Sequence, residues 1–176
     1  LNIYLVGYRG TGKSSVAPIL ANLLGKSWQV AEMDEIIEQR ARRTIAEIFA
    51  KEQEAGFRRR ESSLLAELHR KMYLVVSTGG GIVLAPENRK ILSEAMTIWL
   101  TASPKVIAER LAKDSTTRDR RPNLTATGGL AEIEAMLAQR TPLYEEVALM
   151  TISSEKHTPV EIAELILEKF VEELRS

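Results

Sequence analysis

The segment Gly7-Tyr8-Arg9-Gly10-Thr11-Gly12-Lys13-Ser14 fits G-x-x-x-x-G-K-[ST], and it constrains the fold more than any other stretch of the chain. It follows a short apolar run, Asn2 to Gly7, and precedes a helical pattern carried by Val16, Ile19, Leu20, Leu23 and Leu24, with Gly25 as the stop. Strand, loop and helix in that order are what a phosphate-binding loop requires. Glycines let the backbone fold around phosphate oxygens with its N–H groups inward, and the helix adds its positive end. Lys13 supplies a point charge toward the β and γ phosphates, and Ser14 offers a hydroxyl to Mg²⁺. Gly10, Thr11, Gly12, Lys13, Ser14 and Ser15 are therefore candidate ATP-binding residues, with Mg²⁺ as the expected cofactor.

Further apolar runs repeat the unit. Met72 to Val76 ends in Ser77-Thr78-Gly79-Gly80-Gly81, and Thr97 to Leu100 ends in Thr101-Ala102-Ser103-Pro104. Val30 to Met33 and Leu149 to Ile152 are shorter, the latter followed by an amphipathic segment from Val160 to Leu174. Strands alternating with helices predict an α/β fold, a parallel sheet with its ligands at the carboxyl ends of the strands. Two segments break the alternation. Thr44 to Leu68 is helical, opened by the capping-box spacing of Thr44 and Glu47 and interrupted near Gly56. Lys113 to Gly129 is polar and aperiodic, of the length and composition of a mobile lid. The whole reads as one domain, residues 1–176, with an insert at about 34–69 and a lid at about 113–129.

Composition narrows the class. With 24 basic and 24 acidic side chains the net charge is zero, which removes the electrostatic argument for a nucleic-acid or membrane-surface partner. There is no Cys, hence no disulfide or thiolate site, and no apolar run long enough to span a bilayer. A cytoplasmic monomer is the expectation. The guanine-reading Asn-Lys-x-Asp and the Asp-x-x-Gly of a GTPase switch are both missing, since the three Asp, at 34, 114 and 119, have the wrong neighbours.

On the acceptor side, Asp34 follows the second strand, where a carboxylate can orient or deprotonate a hydroxyl for in-line attack. It can equally be the N-cap of a helix beginning at Glu35. Gly79-Gly80-Gly81 leaves room for a small ligand against the backbone, or is simply a flexible turn. Arg58, Arg59 and Arg60 cannot all face one cleft, but an Arg pair converging on it, with Arg140, would suit a carboxylate substrate.

Taken together these residues resemble the shikimate kinases nearly end to end. The likeness runs through Gly10 to Ser15, Met33-Asp34, Ile45 to Phe49, Phe57-Arg58 with Glu61, the triple glycine, Arg121-Pro122, and Arg140 to Tyr144. The resemblance implies a three-layer P-loop kinase fold with a five-stranded parallel sheet, a helical substrate-binding insert and a lid loop. It also implies transfer of the ATP γ-phosphate to the 3-hydroxyl of shikimate, in aromatic amino-acid (chorismate) biosynthesis. Carried over, it puts Asp34 at the shikimate hydroxyls, Arg58 and Arg140 at its carboxylate, and Gly79, Gly80 and Gly81 along the ring. Arg121, with Arg120 as the alternative, would reach the phosphates from the lid, while Arg110, His157 and Pro159 flank the nucleotide. Catalysis would rest on Lys13, Asp34 and Arg121. Many members carry Asp-x-Asp where this chain has Glu32-Met33-Asp34, so Glu32, one methylene longer, would hold Mg²⁺ through water. A gluconate kinase on the same scaffold would keep Lys13 and Ser14 without reason to keep Asp34, Arg58, the triple glycine and Arg140 together. A nucleotide-binding module without turnover is the reading from another class.

Overall fold

A computed structural model describes residues 1–114 and 129–175. Five strands, β1 (Asn2–Val6), β2 (Gln29–Glu32), β3 (Leu74–Ser77), β4 (Met96–Thr101) and β5 (Met150–Ser153), form one parallel sheet in the order β2-β3-β1-β4-β5. The helices are α1 (Lys13–Leu24), α2 (Met33–Ala41), α3 (Ile45–His69), α4 (Pro86–Ser93), α5 (Pro104–Lys113), α6 (Gly129–Val147) and α7 (Pro159–Glu173), with a 3₁₀ turn at Ile82–Leu84. The expected α/β sheet of five parallel strands is the observed one.

Strand alternation builds the two sides. Ile3 and Leu5 of β1 face α1 and α7 and share a core with Val16, Leu20, Val75, Ile98, Ile162 and Ile166. Tyr4 and Val6 face the other way, into a core with Val76 of β3 and with Ile48, Leu65, Leu92 and Tyr144 from α3, α4 and α6. Burial of both faces is why the strands read as apolar runs rather than as alternating ones. A third cluster of Tyr8, Ile107 and Ile133 packs α5 and α6 beside the phosphate loop. The strand order reverses at β1, so the loop leaving its carboxyl end opens at the switch point of the sheet.

Two local expectations need correction. Asp34 is not an N-cap: α2 starts at Met33 behind a capping Glu32 that makes no side-chain cap bond, which puts Asp34 inside the first turn. There its carboxylate is favoured by the helix dipole instead. The break in α3 falls at Gln53 (φ 59, ψ −178), not near Gly56. Gly56 makes room rather than a break, since a Cβ there would collide with Cβ of Glu52, whose carboxylate is held by both ends of the Arg60 fork at 2.8 and 2.9 Å. The capping box at the start of α3 is present, with Thr44 Oγ1 accepting from the Glu47 N–H at 3.2 Å and Glu47 accepting from the Thr44 N–H at 2.8 Å.

Candidate active site

The phosphate loop runs from β1 into α1. Gly7 has φ 140, and a side chain there would strike the carbonyl of Leu100 on β4. Gly12, at φ 94, is the left-handed residue from which α1 starts. Gly7 is demanded by backbone and space together and Gly12 by its backbone conformation alone, both independent of any ligand. Lys13 folds back over the loop, its ammonium donating to the carbonyls of Gly7 at 2.7 Å and Tyr8 at 2.9 Å. Ser14 donates to Glu32 Oε2 at 3.0 Å and lies 3.4 Å from Ser77 Oγ.

A groove of about 600 Å³ opens over this loop, lined by Gly10, Gly12, Lys13, Ser14, Ser15, Glu32, Asp34, Arg110, His157 and Pro159 among others. Nearly every residue expected to meet ATP is therefore on one surface. Thr11 departs: its side chain is buried and donates to the Tyr8 carbonyl at 2.8 Å, closing the loop from within. Arg110 reaches from α5 to the loop, donating to Gly10 O at 3.1 Å and to Ser154 Oγ and O at 2.8 Å each, so it ties the loop to the end of β5. Arg121 and Arg120, with the rest of the expected lid from 115 to 128, lie outside the described residues.

Beside the groove lies a second, smaller cavity of about 40 Å³, whose lining includes Phe49, Phe57, Arg58, Glu61, Gly79, Gly80, Gly81 and Arg140. The tilted rings of Phe49 and Phe57, with centroids 5.0 Å apart, make an apolar part of the wall that the three glycines also line. Arg58 is the one of the three consecutive arginines that faces this cavity; Arg60 pairs with Glu52 on the outer side of α3. Burial lowers the Arg58 pKa, but Glu61 at 2.8 Å and Glu54 at 3.1 Å more than restore it. Glu61 is buried, which raises its pKa against the pull of Arg58 and Arg140. The cavity walls also hold buried polar atoms with no partner among the described residues: Tyr8 Oη, Arg9 Nε, Glu61 Oε1 and Arg140 Nε. A polar atom buried in this way is costly, and its concentration around one cavity fits a polar ligand.

Glu61, Tyr144 and Ser77 are site residues to which the sequence patterns give no role. Tyr144 donates its buried hydroxyl to the Gly80 carbonyl and stacks on Trp99 at 5.5 Å, fixing the glycine strip from behind. Glu61 was legible as the i+3 partner of Arg58 on one helix. Ser77 and Tyr144 carry no local signal.

Ser14, Glu32 and Ser77 offer hard oxygen donors beside the groove, a set that fits Mg²⁺. Among the described residues there is no cluster of three or more His, Cys, Asp or Glu able to hold a metal. Mg²⁺ needs none, because it keeps several waters and takes one or two protein oxygens together with phosphate.

The family model described as "Shikimate kinase" matches residues 9–171. A shikimate kinase from Rhodopirellula baltica is 41% identical over 167 residues, covering 94% of this chain and 88% of that protein. The solved structure of shikimate kinase from Acinetobacter baumannii in complex with shikimate superposes with a TM-score of 0.89 at 35% identity, covering 98% of this chain and 93% of that one. A gluconokinase from Sinorhizobium meliloti reaches a TM-score of 0.56 at 18% identity over 99% of this chain and 95% of its own, a likeness of fold alone.

Proposed function

The chain belongs to the shikimate kinase family, and from that membership we infer that it transfers the γ-phosphoryl group of ATP to the 3-hydroxyl of shikimate, giving shikimate 3-phosphate and ADP. The observation that carries this reading is the adjacency of the two spaces. A cavity with two arginines, an apolar wall and a glycine strip abuts a phosphate-loop groove, and Asp34 stands on the groove beside the glycine strip.

Each residue then has a chemical task. Arg58 and Arg140 hold the acceptor carboxylate, a planar anion suited to guanidinium forks. Gly79 to Gly81 let the ring lie against the backbone, and Phe49 and Phe57 cover its apolar edge. Asp34 accepts the proton of the attacking hydroxyl or aims its lone pair along the line to the γ-phosphorus. Lys13 exchanges its two loop carbonyls for phosphate oxygens, and the N–H groups at the start of α1 complete a charge clamp that is built before the substrate arrives. Ser14, with Glu32 through water, would hold Mg²⁺, which when bound neutralises charge on the β and γ phosphates. His157 and Pro159 flank the nucleotide at the outer end of the groove. Arg121 remains a proposed phosphate contact on resemblance alone.

An acceptor panel of shikimate, quinate, gluconate and AMP with ATP and Mg²⁺ tests the reading, with shikimate expected to give the highest kcat/KM by orders of magnitude. Preference for gluconate or AMP would overturn it.

A further inference from the structure

The phosphate-loop motif leaves its second to fifth positions open, and this chain fills the first two of these with Tyr8 and Arg9. Neither behaves as a loop filler. Tyr8 is buried, and the guanidiniums of Arg9 and Arg140 each lie 5.8 Å from its ring centroid, so one aromatic plate carries a cation from the loop and a cation from α6. Arg9 lines both the nucleotide groove and the acceptor cavity, a property it shares only with Ile45 among the lining residues of these two spaces. Arg58 and Arg140 line the cavity and not the groove. Any group that passes from one space to the other passes Arg9.

Arg9 is held loosely in that position. Its Nη2 reaches Oε1 of the buried Glu132, on the first turns of α6, at 3.4 Å. Charge-assisted bonds of this type are ordinarily about 2.7–2.9 Å. The contact is single rather than forked, and Nε is buried with no partner among the described residues. Donors thus remain for a further anion. The loop backbone at Arg9 also touches the glycine strip: a Cβ on Gly80 would stand 3.3 Å from the Arg9 nitrogen.

We propose that Arg9 recognises the phosphoryl group on the acceptor side, holding it as it arrives on the acceptor oxygen and binding it in the phosphorylated product. The proposal rests on the phosphotransferase reading above and adds to it a residue that discriminates product from substrate. The acceptor carboxylate already has Arg58 and Arg140 deeper in the cavity. The new dianion forms at the boundary with the groove, where Arg9 is the cation on both walls.

The test compares binding of shikimate, shikimate 3-phosphate and ATP to the wild type, Arg9→Met and Arg9→Lys by calorimetry, with melting temperatures as a fold control. Arg9→Met should weaken shikimate 3-phosphate by about tenfold to a hundredfold, the worth of hydrogen bonds to a charged group, and change shikimate and ATP by less than about threefold. Arg9→Lys should recover part of the loss, keeping the charge without the fork. Equal weakening of shikimate and its phosphate would show a structural role and overturn the proposal, as would unchanged product binding. Failure of the wild type to turn over shikimate would refute the parent reading instead.

Discussion

Replacing Gly81 by Ala adds one methyl group, and the geometry says where it lands. A Cβ at that position would overlap Nη1, Cζ and Nη2 of Arg58. The far end of a flexible side chain ordinarily steps aside at little cost. Arg58 is anchored, with Nη1 donating to Glu61 Oε2 at 2.8 Å, Nε and Nη2 donating to Glu54 Oε1 at 3.2 and 3.1 Å, and its guanidinium 5.3 Å from the Phe57 ring centroid. Moving aside keeps the exposed Glu54 within reach but breaks the bond to Glu61, whose other oxygen already lacks a partner. Separating a buried ion pair costs about 3–5 kcal/mol when the remaining charge is stranded. Here Glu61 can take up a proton, because burial already favours its neutral form, and the Arg58 side chain is 19% exposed. A stability cost of about 2 kcal/mol follows, and the displaced guanidinium forfeits its charge-assisted contact with the acceptor carboxylate, worth about the same, or about thirtyfold in acceptor affinity.

The measurement is the shikimate Kd and KM of Gly81→Ala, with ATP affinity measured separately. ATP binding should stay within about twofold, since Gly81 lines the cavity and not the groove. The same substitution in an Arg58→Ala background should cost little more, the non-additivity expected of a methyl that acts only through Arg58. An unchanged KM, or additive losses in the double variant, would refute the argument.

The other expectations are shorter. Asp34→Asn should lose at least about a hundredfold in kcat. It should lose only about 0.5 kcal/mol of stability, because Asp34 sits in the first turn of α2 without capping it; near-normal kcat would mean that the acceptor proton goes elsewhere. Lys13→Met should cut phosphoryl transfer by about two to three orders of magnitude, with shikimate affinity in equilibrium titration largely kept. Gln53→Gly relieves a backbone conformation that is essentially reserved for glycine and should raise stability in urea by about 1 kcal/mol; a lower midpoint would contradict the strain. Burial raises the pKa of Glu32 above that of an ordinary carboxylate, against the bonds from Ser77 and Ser14, so its proton competes with Mg²⁺ at higher pH than an exposed Glu would. The Mg²⁺ concentration for half-maximal rate should therefore climb as pH falls through that raised pKa, and Glu32→Gln should flatten the climb.

What could be read beforehand divides by range. The loop, the strand runs and the cap of α3 are local: each depends on residues a few positions apart, and each lies where the pattern puts it to within two or three residues. The shift of Asp34 from cap to first turn came from treating Met33 as the end of a strand, although β2 stops at Glu32 and the chain turns helical at once. The kink at Gln53 was misplaced because glycine is the usual breaker, whereas here the glycine accommodates Glu52. Convergence is a property of the sheet order. Arg58 and Arg140 are separated by nearly half of the chain and meet because α3 and α6 pack on the same face of the sheet, which no spacing rule contains. Family resemblance supplied that pairing, and it supplied nothing for Tyr8 and Arg9, where the motif accepts any residue.

The partners of the site cations differ between its two halves, and the difference bears on selectivity. On the nucleotide side the described hydrogen bonds of Lys13 and Arg110 go to neutral oxygens: loop carbonyls, the Ser154 hydroxyl and the Ser154 carbonyl. In these bonds a triphosphate takes the place of neutral oxygens rather than of carboxylates. On the acceptor side Arg58, which lines the cavity and not the groove, contacts the buried carboxylate of Glu61 at 2.8 Å, and the net charge facing the acceptor carboxylate is trimmed accordingly. A cavity trimmed in this way suits a monoanion held by forked, directional bonds and disfavours the several charges of a polyphosphate, which would meet the Glu61 carboxylate at short range. Cations of one kind in adjoining spaces thus recognise different anions, because the groups behind them carry different charge.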